Sequence, residues 1–124
     1  MSDRIQTYAE FWPFYLREHS LPSTRWLHFS GTSLGVCLGV TAAVTGRGAL
    51  IPAALVAAYG FAWFSHFKIE NNRPASFKYP LWSFISDLRM AGLMAVGQLA
   101  PHLERAWAGR QVPVPVASAQ AEVR

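Results

Sequence analysis

Three histidines, two carboxylates and two arginines hold most of the chemistry open to this chain. His19, His28 and His66 carry imidazoles, and Glu70 and Asp87 lie downstream of them. Imidazole with carboxylate suits non-haem iron, zinc or manganese. His66 and Glu70 are four residues apart, so they share a face if a helix persists that far. No standard metal motif is formed, and spacing alone leaves two readings open. The histidines bind a metal, or each is an interfacial or hydrogen-bonded structural residue. Arg25 and Arg73 could hold a carboxylate or phosphate, or anchor the chain to phospholipid. No nucleophile elbow, phosphate loop or dinucleotide fingerprint is present.

These residues need elements that gather them, and the apolar pattern supplies candidates. The 124 residues are 52% hydrophobic and 15% charged, against roughly 25% charged in an ordinary soluble domain. Residues 23–46 form the first candidate span; within it residues 28–45 contain no charge and extend about 27 Å as a helix, close to the thickness of a bilayer core. Gly31, Gly35 and Gly39 recur on one face and would let a neighbouring helix approach closely. Residues 45–48 read as a tight turn, and residues 49–67 as a second uncharged span. The two form an antiparallel transmembrane hairpin, which returns His66 to the side of His19 and His28.

The remaining segments are less regular. Residues 5–16 read as an amphipathic interfacial helix containing Pro13. Trp12, Trp26, Trp63 and Trp82 suit an aromatic belt at the membrane boundary. Residues 81–100 form a third apolar stretch interrupted by Asp87 and Arg89. A third span is expected there, with a surface-lying or re-entrant helix as the alternative. A third span would put His102 on the opposite face from the other histidines. Residues 1–108 are expected to form one helical membrane domain, and residues 109–124 a disordered tail.

The fold class is therefore all-α, a small helical membrane bundle with two transmembrane helices, a further third and an N-terminal interfacial helix. Basic residues outside the spans weakly favour a cytoplasmic N-terminus. They are scattered singly, which argues against nucleic acid as a partner. Cys37 is the sole cysteine, reads as a small buried hydrophobe, and can form no intrachain disulfide. The first twenty residues lack the apolar core of a cleavable signal peptide. A homo-oligomer is left open.

Two segments carry a family resemblance. The first runs Phe14-Tyr15-Leu16-Arg17-Glu18-His19, then Pro22, Arg25 and Leu27-His28-Phe29-Ser30-Gly31-Thr32. The second runs Tyr59-Gly60-Phe61-Ala62-Trp63-Phe64-Ser65-His66-Phe67, then Glu70, Asn72-Arg73-Pro74-Ala75, Phe77, Pro80 and Asp87. Over residues 8–95 the chain resembles the small membrane family that includes the fungal 2-hydroxy-fatty-acid dioxygenase of phytosphingosine breakdown. The resemblance implies an Fe(II)-dependent enzyme of fatty-acid α-oxidation. Its substrates would be a 2-hydroxy fatty acid, shortened by one carbon, and O2. It implies His19, His28 and His66 as iron-site residues; Glu70 and Asp87 match motif positions and are candidate ligands. It also implies a multi-pass protein of the bacterial inner membrane or the endoplasmic reticulum. The rival is a non-catalytic membrane protein that binds lipid headgroups or a partner helix.

Overall fold

The computed structural model describes residues 4–110, and these are helices joined by turns. In chain order the helices are α1 (Tyr8–Arg17), α2 (Pro22–Thr45), α3 (Leu50–Ser65), α4 (Pro80–Ala95) and α5 (Ala100–Trp107). A π-turn, His66–Glu70, prolongs α3, and a 3-10 turn, Ala75–Phe77, precedes α4. Most of the tail expected over residues 109–124 lies outside the described residues.

α2 and α3 form the hairpin read from the sequence. Gly46 ends α2 in the left-handed conformation at φ 70°, which a residue with a Cβ adopts only with strain. The glycines then set the closeness of the two helices. A Cβ on Gly31 would lie 2.7 Å from that of Phe61, and one on Gly35 would lie 3.1 Å from the Ala54 carbonyl oxygen. Gly39 faces open space, so only two of the three glycines serve the interface.

Among the described residues, Pro22–Thr45 and Leu50–Glu70 are the helices long and apolar enough to cross a membrane. Only 22% and 17% of their most apolar windows are buried; the core helix of a water-soluble fold would be buried along most of its length. Val36, Val40, Val44, Leu55 and Val56 all point outward. Cys37 does too, contrary to the buried position expected for it.

The third apolar stretch does not continue as a third long helix. α4 stops at Ala95, and Gly97, at φ 70°, turns the chain into the separate helix α5. Both flanks of α4 then pack on α1. Before it, the Tyr79 hydroxyl accepts the backbone N–H of Ile5 at 2.7 Å. After it, Trp12 donates to His102 Nδ1 at 3.2 Å and Arg17 donates to the Ala106 carbonyl at 3.0 Å. His102 therefore lies beside α1 rather than on the opposite face. Hydropathy registers apolar residues but not the left-handed glycine that reverses the chain.

Helices α1, α4 and α5 build the core. Phe11, Tyr15, Leu16 and Met90 are almost fully buried, joined by Tyr79 and Leu99. Thr7 starts α1 by accepting the N–H of Glu10 at 3.2 Å, and Pro13 is accommodated inside the helix. Trp12 is buried in this core rather than placed in an aromatic belt, while Trp82 is half-buried and stacks on Tyr79. Trp26 and Trp63 do remain exposed.

The glycine geometry gives a direct test. Gly31→Leu should destabilise the protein by about 1–3 kcal/mol through overpacking, and Gly39→Leu should be tolerated. Thermal unfolding of both variants in mild detergent checks this.

Candidate metal centre

The three sequence-predicted histidines meet. His19 lies in the loop after α1, His28 on the second turn of α2, and His66 where α3 passes into its π-turn. Their Nε2 atoms form a triangle. The sides are 3.0 Å for His19–His28, 3.3 Å for His28–His66 and 3.1 Å for His66–His19. All three residues are buried.

The loop bearing His19 is fastened from two directions. Arg25 donates to the carbonyls of His19 and Ser20 at 2.8 and 3.0 Å. Asn72 donates its side-chain amide to the Glu18 carbonyl at 3.1 Å. On the other side, Asn71 adopts the left-handed conformation at φ 59°, and the N–H of Asn72 returns to the His66 carbonyl at 3.0 Å. Asn72 thus ties the end of α3 to the loop after α1.

The outer nitrogens of His19 and His66 face acceptors, which places a proton on each. His19 Nδ1 lies 2.6 Å from the Tyr15 carbonyl, which can only accept, so Nδ1 carries the hydrogen. His66 Nδ1 lies 2.6 Å from Asn72 Oδ1, an oxygen oriented by that residue's amide bond to Glu18. His28 Nδ1 faces Asp87 Oδ1 at 3.4 Å. Tyr15 donates its hydroxyl to that same carboxylate oxygen. Burial first, and then the Asp87 charge, push the Tyr15 phenol well above its ordinary pKa, so it stays a donor.

Held in this way, the rings aim three Nε2 atoms at one point. Burial, followed by the charges of His28 and His66, holds His19 well below the usual histidine pKa and keeps its lone pair free. Lone pairs about 3 Å apart repel unless a cation stands between them. Nitrogens bound to one ion at about 2.1 Å stand roughly 3.0 Å apart at a right angle and roughly 3.4 Å apart at a tetrahedral angle. The observed triangle falls within that range, and the donor set fits a first-row metal such as iron or zinc.

The other expected residues surround the trio. Glu70 is turned away from it by the π-turn, in which the hydrogen bond spans five residues rather than four. Its carboxylate accepts the Leu21 N–H at 2.7 Å and the Ser20 hydroxyl at 2.9 Å, at the positive end of α2. Asp87 stands behind His28, as the carboxylate of a carboxylate–histidine pair. Arg25 is engaged by loop carbonyls, and Arg73 is exposed. A cavity of about 10 Å³, about the size of one water, adjoins the trio. Tyr59, Ser83 and Asp87 line it, and no arginine or lysine does. Ser83 Oγ is buried and has no hydrogen-bond partner among the described residues.

Sequence reasoning missed Tyr15, Asn72 and Ser83. The first two fall inside the recognised motifs, but their roles depend on loop geometry. Ser83 lies four residues before Asp87, on the same face of α4, and carried no signal of its own. Removing the carboxylate with Glu70→Ala should destabilise the fold by about 0.5–2 kcal/mol, as for loss of a helix cap. Metal stoichiometry should not change; a fall in bound metal in a folded variant would place Glu70 among the ligands.

Residues 5–99 match the family model described as 2-hydroxy-palmitic acid dioxygenase Mpo1-like. No curated protein and no solved structure shows a significant match to the chain. The family match spans every residue of the histidine trio and its supports, from Tyr15 to Asp87, and the chain belongs to the 2-hydroxy-palmitic acid dioxygenase Mpo1-like family.

Proposed function

We propose that the chain is a multi-pass membrane enzyme, an Fe(II)-dependent dioxygenase of fatty-acid α-oxidation. It takes a 2-hydroxy fatty acid and O2 and returns the acid one carbon shorter. The observation that carries this reading is the convergence of three buried Nε2 atoms, with the outer nitrogens of His19 and His66 hydrogen-bonded and that of His28 facing the Asp87 carboxylate. Headgroup binding alone gives no reason to bury three imidazoles with their acceptors facing one another.

The reaction balances without a co-substrate. A 2-hydroxy acid and O2 give the shortened acid, CO2 and water. The bond between the carboxyl carbon and the hydroxyl-bearing carbon breaks, and the four electrons released match those O2 accepts. Iron(II) held by His19, His28 and His66 would supply the redox chemistry that O2 requires and keep positions open for ligands from outside the chain.

The chain's own residues supply position and proton control. Tyr15 and Asp87 hold the His28 ring, while Asn72 holds that of His66. Asp87 is the carboxylate lining the cavity, and it is placed to accept the proton of the substrate hydroxyl. Ser83 offers the substrate head a hydroxyl that has no other partner. The tight cavity excludes bulk water. With Arg25 turned to the loop and Arg73 exposed, the substrate carboxylate would be neutralised at the metal.

Protein purified in mild detergent should carry iron after Fe(II) loading and consume O2 on adding 2-hydroxypalmitate. His28→Ala and His66→Ala should each abolish uptake and lower bound iron, with membrane insertion intact. His102→Ala should retain both properties. Absence of bound iron and of O2 uptake in the wild type would reject the enzyme and favour the non-catalytic rival. Ser83→Ala should reduce turnover by about tenfold, the loss of one buried hydrogen bond, without changing iron content.

A further inference from the structure

A second cavity, of about 160 Å³, opens on the flank of the hairpin where α2, α3 and α4 meet. Val36, Leu55, Phe84 and Leu88 form its walls, and each is between 41% and 52% exposed. Its polar end is formed by Tyr59 and Asp87, and these same two residues line the small cavity beside the histidines. The groove therefore adjoins the histidine cavity across Tyr59 and Asp87, with an apolar outer flank and a polar inner end. On the opposite flank lies a larger apolar groove that includes Leu34, Val56 and Phe61, and it shares no lining residue with the histidine cavity.

We propose that the flank groove at Val36, Leu55 and Leu88 admits the substrate sideways from the bilayer and grips only the methylenes nearest its head. This rests on the membrane and fatty-acid reading above and adds how the substrate enters and which part of it is recognised. The occupant is a single alkyl chain. Apolar walls with one polar end match an amphiphile entering head first. The volume is decisive for the extent of grip. Sites that enclose a drug-sized molecule occupy about 300–1,000 Å³, so about 160 Å³ holds only part of a long acyl chain. The rest stays among neighbouring lipid, where the exposed ends of α2 and α3 offer no further enclosure. The protein therefore discriminates on the head and the proximal chain, and is indifferent to how far the tail extends.

Two photoreactive fatty acids test this in vesicles without metal or turnover. One carries a diazirine close to the carboxylate and the other carries it at the methyl end. The proximal probe should label residues of the Val36–Leu55–Leu88 groove, and the distal probe should label mainly lipid. Val36→Trp and Leu88→Trp should each cut proximal labelling by about tenfold through steric exclusion; Val56→Trp, on the other flank, should leave it unchanged. With active enzyme, the same two variants should lower kcat/KM alike for short and long 2-hydroxy acids. Proximal labelling on the Leu34–Val56 flank, or strong protein labelling by the distal probe, would overturn the proposal. Labelling as expected in a protein that consumes no O2 would keep the groove and remove the dioxygenase.

Discussion

Three imidazole lone pairs held about 3 Å apart in a buried space set the central constraint of this molecule. Left to themselves the rings would turn away from one another, because each presents the same partial charge. Two of them are tied on their far sides, His19 to a backbone carbonyl and His66 to an asparagine oxygen, and the third, His28, is backed by a carboxylate. Each of those partners is itself held. The asparagine is fixed by its second bond to the Glu18 carbonyl, and the carboxylate by the Tyr15 phenol. The unfavourable arrangement therefore persists because the surroundings over-determine it, which is how strain is commonly stored at a functional site.

The remainder of the fold can be understood as support for that arrangement. The hairpin brings His28 and His66 to one level because glycine lets the two helix backbones nearly touch. The π-turn then sends His66 inward and Glu70 toward the start of α2, so one short segment serves both the site and the neighbouring helix. The aromatic core of α1, α4 and α5 closes the polar side and carries Tyr15 and Asp87 to the trio. Apolar flank and polar centre are thereby joined in a chain too small to enclose a conventional substrate pocket.

Much of this was legible in the residues. The uncharged runs gave both long helices to within a few residues, and antiparallel insertion placed the three histidines together. Glu70 was harder. An α-helical spacing puts it in line with His66, and only the π-turn breaks that alignment. Asp87 was placed near the histidines, but spacing could not say whether it would face the centre of the trio or the far side of one ring, where it stands beside His28. The fate of the third stretch depended on Gly97, a single left-handed residue that hydropathy does not register. Arg25 illustrates the same limit: its charge suggested an anion, whereas its neighbours are backbone carbonyls that appear only once the loop is folded.

The Asn72 bridge has a consequence for assembly. It joins segments more than fifty residues apart in sequence, so the nest of imidazoles cannot exist in a chain that has formed only its hairpin. Pairing of the two long helices is a local event, while docking of the loop after α1 must await closure of a long loop. The gathered rings are thus a mark of completed tertiary structure: a molecule arrested earlier holds the hairpin but not the nest.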